Sequence, residues 1–357
     1  MPELPEVEVI KRGLAANISG RRVATLQVLE ARSFPNYDDA VCEQLENSLV
    51  GGLGRRGKVL LIELSSQSGQ QLVLMVHLRM TGQLVFRNQE SGAATCLPFA
   101  NATAAAEVSG VPGTAPCPPP AEVSGVPGTA PCPPPAGVAA CPSPPADTSS
   151  ENFSGGFPSA SLIGTLPDKS TRVIINFTDS ARLYFNDQRK FGYLKLLAAD
   201  QLANDAFLSQ MGPEPLDEGF DWRCLSQCLR LKATRPSARA VKAALLDQSL
   251  IAGIGNIYAD ESLFWARIDP RRPLASLTVP EVKRLCAAIQ ESLQQSIADG
   301  GSTARNYVDA LGLRGEFLDL HAAVYGRADQ PCPRCGRPIA KIRVAGRGTH
   351  YCPRCQK

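Results

Sequence analysis

The stretch LLDQSLIAGIGNIYADESLF, residues 245–264, decides the fold, because a glycine-containing turn in it separates two helical segments. Gly253 and Gly255, one residue apart, make a tight turn that leads into a helix. Asn256 lies at the start of that helix, where unpaired backbone amides and the Asn side chain form a cradle for a phosphate. A turn that only packs two helices together has the same pattern, so this stretch alone leaves both interpretations open.

The residues around this stretch divide the chain into a strand-rich first half and a helical second half. A short helix over 4–16 comes first, because Leu4, Val7, Ile10 and Leu14 share one face. Strands are predicted at 23–29, 58–64, 72–78, 172–178, 182–186 and 193–197, and helices at 221–231, 240–248, 256–266 and 280–298. Several strands joined by polar turns predict a β-sandwich or barrel-like domain, followed by a mainly α-helical region.

Two Cys-x-x-Cys pairs near the C-terminus form a metal-binding pattern: Cys332 with Cys335, and Cys352 with Cys355. Four thiolates at this spacing close a tetrahedral site for one structural zinc ion and leave no open coordination position. The hairpin between the pairs carries the basic residues Lys341, Arg343 and Arg347. Such a ribbon suits contact with phosphates or a DNA groove. A ribosomal or transcription protein could carry the same ribbon.

The N-terminal residues Pro2, Glu3 and Glu6 form a second candidate site. A small residue after Met1 favours removal of the initiator methionine, which exposes the secondary amine of Pro2. An α-amino group has a pKa of about 8, so part of it is neutral and nucleophilic at cellular pH. Glu3 and Glu6 lie within one turn and can donate a proton or orient the amine. Prolines and acids are also common in a helix's first turn without any catalytic role.

Residues 88–168 interrupt the strand pattern with 16 of the chain's 29 prolines and nine of its glycines. Within them AEVSGVPGTAPCPPP occurs at 106–120 and again, unchanged, at 121–135. This composition cannot bury a core, so we predict a disordered insertion between two strands, with docking of a partner as the alternative. The insertion holds six acids and neither Lys nor Arg, so the rest of the chain carries +9 against a net +3.

The charge and hydropathy patterns limit the class of protein. Residues 223–246 carry six basic residues and no acid, and residues 332–357 carry seven and no acid, which suits a polyanionic partner. The sequence has neither a run of 18 apolar residues nor the basic start and apolar core of a signal peptide. We therefore expect a soluble, cytoplasmic monomer without a membrane partner, in which disulfides are not expected among the twelve cysteines.

Together these features resemble the formamidopyrimidine-DNA glycosylase family, bacterial enzymes that remove oxidised purines from DNA. The matching segments are PELPEVE at 2–8, RRGKVLL at 55–61, HLRMTG at 77–82, DQRKFG at 187–192, GPEPL at 212–216, the stretch at 245–264 and the ribbon. The resemblance implies an α+β fold: a catalytic β-sandwich domain over 1–200, a helix–two-turn–helix domain over 201–325 and a zinc ribbon over 326–357. Damaged double-stranded DNA would lie in a cleft between the sandwich domain and the helix–two-turn–helix domain, with the damaged nucleotide flipped out.

The resemblance also implies roles for individual residues in base excision and strand cleavage. Pro2 is the nucleophile that forms a Schiff base, Glu3 is the general acid, and Glu6 lines the lesion pocket. Lys58 matches the lysine that assists β-elimination, and Arg347 matches the ribbon arginine of δ-elimination.

The resemblance assigns five further residues to DNA contacts. Lys242 and Asn256 match positions that contact phosphates. Met80, Arg189 and Phe191 match the trio that fills the gap left by the flipped base, with Arg189 facing the orphaned partner base. Ser170 departs from the pattern, because the family commonly has a histidine just before the strand that begins at Arg172. One phosphate contact is therefore either lost or supplied by Lys169.

Three alternatives remain. An endonuclease VIII-like enzyme shares the architecture and chemistry but prefers oxidised pyrimidines; the PELPEVE start and the Arg189/Phe191 pair favour the purine enzyme. A catalytically inert DNA-binding protein would need the ribbon and helices but not Pro2, Glu3 and Lys58. A proline-rich scaffold explains only the insertion.

Overall fold

The computed structural model describes residues 2–88, 165–231, 239–302 and 315–357, together with the backbone of 152–156. In chain order the helices are α1 Leu4–Ile18, α2 Asp39–Leu45, α3 Trp222–Leu231, α4 Val241–Leu245, α5 Asn256–Ala266, α6 Val279–Ala298 and α7 Phe317–His321. The strands are β1 Val23–Val28, β2 Leu49–Arg56, β3 Val59–Ser65, β4 Gln71–His77, β5 Gly82–Arg87, β6 Asn152–Gly156, β7 Thr171–Phe177, β8 Arg182–Asp187, β9 Tyr193–Ala198, β10 Ala340–Val344 and β11 Arg347–Tyr351.

Two antiparallel sheets pack face to face in the first half of the chain. One has the strand order β1-β7-β8-β5-β6 and the other β2-β3-β4-β9. Their inner faces and the apolar face of α1 form one core, in which Val7, Leu60, Leu74, Val173 and Phe185 are almost fully buried. Burying such side chains contributes about 1.5–3 kcal/mol each. The predicted β-sandwich and the α+β fold class are confirmed.

Strand β6 corrects the prediction made for the insertion. It pairs with β5 over five positions, from Gln83 opposite Gly156 to Arg87 opposite Asn152. Residues 152–156 therefore do not belong to a disordered segment, because β5 has an open edge that backbone hydrogen bonds of β6 satisfy. Residues 165–168, also assigned to the insertion, are ordered as well, since Asp168 Oδ1 accepts the backbone N–H of Ser170 at 2.7 Å. The predictions for 89–151 and 157–164 fall outside the described residues.

The helices of the second half share a separate core, which includes Leu245, Ile254, Tyr258 and Ile289. Leu4, the first residue of α1, packs into this core rather than into the sandwich, so the N-terminus is fixed on the helical region. Helix α6 begins with a capping box in which Glu281 accepts the backbone N–H of Thr278 at 2.8 Å. Among the described residues, none of the helices is long and apolar enough to cross a membrane.

The C-terminal residues form a small ribbon on the helical region. Strands β10 and β11 pair from Ala340 opposite Tyr351 to Val344 opposite Arg347, and Ala345 and Gly346 both adopt positive φ in the turn. Glu261 of α5 binds the chain leading into the ribbon, since its carboxylate accepts the backbone N–H groups of residues 323, 324 and 325 at 2.7–3.0 Å. The boundaries at 200/201 and 325/326 stay predictions.

Candidate active site and nucleic-acid interface

The turn at Gly253–Gly255 is the point on which the N-terminus docks. The backbone N–H of Leu4 donates to Gly253 O at 3.1 Å. A Cβ on Gly253, whose φ is +87°, would lie 2.5 Å from Leu4 Cδ1, and a Cβ on Gly255 would lie 2.1 Å from Glu3 Cδ. Only glycine permits this approach, so the two glycines place Glu3 against the start of α5.

Glu3 is a buried carboxyl group at the N-terminus of helix α5. Its Oε1 accepts the backbone N–H of Ile257 at 3.2 Å, while Oε2 is buried without a hydrogen-bond partner among the described residues. Burial, with a further contribution from the neighbouring Glu6 and despite the opposing charge of Lys58, raises the pKa of Glu3 to about 7. Glu3 can therefore hold or release a proton near neutral pH, and its free oxygen is available to a substrate.

Lys58 approaches the same turn from the sandwich. Its Nζ donates to Ile254 O at 2.9 Å, and burial lowers its pKa while Glu3 and Glu6 oppose that shift. The preceding residues are held by Glu214, whose carboxylate accepts from Arg55 Nη1 at 2.7 Å and from the backbone N–H of Gly57. These contacts fix the β2–β3 turn, and hence Lys58, against the helical region.

Glu6 links the N-terminus to the helices. Its Oε2 accepts the backbone N–H of Glu3 at 2.7 Å, and its Oε1 accepts from Tyr258 Oη at 2.5 Å and from Ser302 N and Oγ at 2.9 and 2.7 Å. Pro2, also buried, directly precedes Glu3. The structure thus brings together Pro2, Glu3, Glu6 and Lys58. Tyr258 and Ser302 were not predicted, because nothing in the sequence indicates that they meet Glu6.

Met80 meets Arg189 and Phe191 at one exposed place, although Met80 and Arg189 are 109 residues apart in the chain. Arg189 Nη1 lies 3.2 Å from Met80 Sδ, and the Arg189 guanidinium lies 4.9 Å from the centre of the Phe191 ring. Met80 and Phe191 remain 41% and 54% exposed. Exposed apolar side chains beside a cation are suited to stacking on bases.

Asp187 organises the loop that carries Arg189 and Phe191. Its buried carboxylate accepts the backbone N–H groups of Arg189 at 3.0 Å, Phe191 at 2.8 Å and Gly192 at 2.6 Å, and the hydroxyl of Thr81. The Thr81 bond ties this loop to the segment that carries Met80. The sequence reasoning did not single out Asp187, although it heads the quoted motif DQRKFG.

Asn256, Lys242 and Arg347 lie where α4 and α5 meet the ribbon. Asn256 Nδ2 donates to Gly348 O at 3.1 Å, and Arg347 is exposed at the start of β11. Lys242 is fully buried and its Nζ lies 2.6 Å from Asp260 Oδ1. Burial lowers the pKa values of Lys58 and Lys242, and the positive charge of Arg347 adds a smaller contribution in the same direction.

Ser170 is turned away from the surface. Its Oγ donates to Asp168 Oδ1 at 2.7 Å, and its carbonyl accepts the backbone N–H of Asp187 at 2.8 Å. Ser170, which stands where the family commonly has histidine, therefore binds the backbone of Asp187 and helps to hold the loop that follows it.

The four ribbon cysteines converge. Their Sγ atoms all lie within 4.8 Å of one another, with Cys335 to Cys352 at 3.5 Å and Cys332 to Cys355 at 3.9 Å. Zn–S bonds of about 2.3 Å in a tetrahedron place sulfurs roughly 3.8 Å apart, so the arrangement fits one zinc ion.

The chain combines a β-sandwich, a helical region with a Gly-x-Gly turn and a four-cysteine ribbon. The buried carboxyl group of Glu3 lies where the N-terminus docks on that turn. This combination defines a DNA glycosylase of the helix–two-turn–helix class. Family models match three parts of the chain: the formamidopyrimidine-DNA glycosylase N-terminal domain over residues 1–108, its H2TH domain over 211–308 and the zinc finger found in FPG and IleRS over 329–357. The chain belongs to the formamidopyrimidine-DNA glycosylase family and is a base-excision repair enzyme.

Similar proteins extend over the whole chain. The formamidopyrimidine-DNA glycosylase of Pelotomaculum thermopropionicum is 34% identical, covering 100% of this chain and 99% of its own length, and that of Moorella thermoacetica is 37% identical, covering 96% and 95%. Among solved structures, Lactococcus lactis Fpg with DNA containing an abasic site has a TM-score of 0.71 at 28% identity, covering 99% of both chains. The wild-type L. lactis enzyme with DNA containing N7-benzyl-Fapy-dG also has a TM-score of 0.71, at 28% identity over 100% of both chains.

Proposed function

We propose that this enzyme excises oxidised purines, such as 8-oxoguanine and formamidopyrimidines, from double-stranded DNA and then cleaves the strand as an AP lyase. The observation that carries the proposal is the buried Glu3 carboxyl group, with one unpartnered oxygen among the described residues and a pKa of about 7, directly after Pro2 and beside Lys58. A proton donor next to an amine nucleophile is the arrangement that Schiff-base chemistry requires.

The first reaction is attack of the Pro2 amine, freed by loss of Met1, on C1′ of the flipped nucleotide. The C1′–N bond breaks and the base leaves as an anion, which takes up the proton that the Pro2 nitrogen loses, while protonated Glu3 supplies a proton to the sugar oxygen as the ring opens. The product is an iminium between Pro2 and C1′. Glu6 orients this N-terminal segment, because it accepts the Glu3 backbone N–H at 2.7 Å.

Strand cleavage follows from the iminium. The cation makes the C2′ proton acidic, so the 3′-phosphate leaves by β-elimination and the 5′-phosphate by δ-elimination. Lys58, with a pKa lowered by burial, is suited to assist the first elimination. Arg347, exposed on the ribbon, is assigned to the second and to phosphate binding.

DNA is held by groups on both sides of the site. Met80, Arg189 and Phe191 replace the flipped base and its contacts with the partner base, which we expect to be cytosine. Asn256, at the start of α5, contacts a phosphate. One structural zinc ion, bound by Cys332, Cys335, Cys352 and Cys355, stabilises the ribbon. We expect the enzyme to act as a monomer on chromosomal DNA in the bacterial cytoplasm.

An endonuclease VIII-like preference for oxidised pyrimidines is the competing proposal. The exposed Arg189–Phe191 stack at 4.9 Å favours the purine enzyme, since it matches the trio of the purine-specific family. Single-turnover excision from duplexes with 8-oxoguanine, Fapy-guanine or 5-hydroxycytosine tests this directly. We expect the two purines to be released at least about tenfold faster than the pyrimidine, which corresponds to about 1.4 kcal/mol in the barrier; the opposite order would contradict the assignment.

A further inference from the structure

The ammonium group of Lys242 is saturated inside the protein. Its Nζ lies 2.6 Å from Asp260 Oδ1 and donates to Thr349 Oγ1 at 2.8 Å and to Gly348 O at 3.0 Å. A lysine ammonium has three donors. Because all three are used and the side chain is 0% exposed, none remains for a DNA phosphate.

Asp260 is equally enclosed. Its Oδ1 faces Lys242, and its Oδ2 accepts the backbone N–H of His350 at 2.9 Å. One carboxylate on α5 thus binds a cation from α4 and a backbone group of β11. A buried charge pair of this kind is held in place because separating either partner leaves an uncompensated charge.

These contacts reach the backbone of Arg347. Thr349 Oγ1, which accepts from Lys242, donates to Arg347 O at 3.1 Å. Gly348 O, the next carbonyl along the strand, accepts from both Lys242 and Asn256. The residue after Asn256 is Ile257, whose N–H binds Glu3. A continuous set of contacts therefore connects the first turn of α5, which binds Glu3, to the strand that begins with Arg347.

We propose that Lys242 and Asp260 are positioning residues that hold the first residues of β11 on α5 and thereby place Arg347 at the active site, rather than contacts to DNA. This rests on the proposed role of Arg347 in δ-elimination. It reassigns Lys242 from a phosphate contact to an internal clamp. The clamp would act on strand cleavage after β-elimination and leave base excision largely unchanged.

Two variants separate the clamp from a phosphate contact. Thr349→Val keeps the buried volume but removes the hydroxyl between Lys242 and Arg347. The double variant Lys242→Met with Asp260→Leu removes the charge pair with side chains of similar size, so no unpaired charge is left buried. The double variant Lys195→Met with Asp205→Asn removes the partly buried pair at 2.6 Å on the sandwich without leaving an unpaired charge, and it is the control.

Three measurements decide the proposal. We expect both variants to lower the ratio of δ- to β-elimination products on a preformed abasic site at least about tenfold, with iminium trapping by borohydride within about threefold of wild type. The His350 amide should exchange with solvent at least about tenfold faster in the double variant. The salt dependence of affinity for duplex with a tetrahydrofuran site should keep its wild-type slope, and the control should match wild type throughout.

Other results would contradict the proposal that Lys242 and Asp260 position Arg347. A salt slope reduced by about 0.9 in the double variant would make Lys242 a phosphate contact. An unchanged product ratio together with faster His350 exchange would limit the clamp to stabilising the ribbon. If wild-type enzyme fails to cleave abasic sites, the proposed lyase function is wrong, while the exchange and salt measurements still decide whether Lys242 faces DNA.

Discussion

At the scale of single residues, the account depends on the amine of Pro2. A Pro2→Gly variant retains an N-terminal amine but changes its class and its placement before Glu3. We expect DNA affinity to stay near wild type and base excision to fall at least about a hundredfold, because a primary amine on a flexible glycine is no longer held in place for attack while the binding surface is intact. Single-turnover excision and filter binding on the same duplex measure the two effects. An unchanged excision rate would remove Pro2 from the mechanism.

Glu3 gives the site a pH dependence with a definite sign. Its pKa is raised to about 7, mainly by burial, so the protonated acid is abundant below pH 7 and is lost as the pH rises above it. Between about pH 7 and pH 8 the growing neutral fraction of the Pro2 amine offsets this loss, so excision at saturating enzyme should decline above about pH 8, where only the loss of the Glu3 proton still changes the rate. Glu3→Gln should be slow and should lack this decline. A wild-type rate that is flat from about pH 6 to about pH 9 would show that Glu3 is not the acid.

Gly255 tests how closely the N-terminus must approach the turn. In Gly255→Ala the new Cβ would lie 2.1 Å from Glu3 Cδ, so Glu3 has to move. We expect excision to fall at least about tenfold, since small displacements of catalytic groups are costly. Gly219→Ala, where a Cβ meets nothing within 4 Å, is the matched control and should behave as wild type. Equal rates for both variants would contradict the placement of Glu3.

The roles and burial of single side chains were also the features that the sequence alone predicted least well. Pro2 and Glu3 formed a candidate site on the residues alone, but prolines and acids at a helix start are ordinary, so their roles, like that of Lys58, were assigned through the family resemblance. Lys242 was predicted to contact phosphate because it matches a phosphate-contacting position of the family, and the structure places it fully buried against Asp260. A lysine's burial depends on which residues the fold places around it, and Thr349 lies 107 residues away.

At the scale of elements, periodicity predicted most helices and strands. Helix α6 was predicted as 280–298 and spans Val279–Ala298; strand β3 was predicted one residue early. Strands β2, β5 and β6 were missed. Strand β2 contains three glycines in LVGGLGRR, which lower its strand propensity, and β6 forms only by pairing with β5.

The zinc ribbon is the element whose removal should change DNA binding most. Chelation of the metal leaves four cysteines without their common ligand, and the hairpin with Arg347 loses its order. We expect duplex affinity to fall at least about tenfold, with the sandwich still folded by circular dichroism. Readdition of zinc should restore binding. Normal affinity in a verified metal-free sample would contradict this role.

At the scale of the whole molecule, the insertion can be separated from the working parts. Deleting residues 91–149 with a short linker keeps β6, so excision should stay within about twofold of wild type, because loop-closure entropy changes slowly with length. Extending the deletion to 91–166 removes β6 and opens the edge of β5, which should lower the melting temperature. A folded but inactive 91–149 deletion would assign the insertion a role in catalysis.

The most direct test of the central claim is borohydride trapping on a duplex with 8-oxoguanine opposite cytosine, followed by mass spectrometry of the adduct. The account predicts a covalent adduct on Pro2 of a chain that has lost Met1, abolished in Pro2→Gly. An adduct on Lys58, or no adduct while the duplex remains bound, would contradict the assignment of Pro2 as the nucleophile.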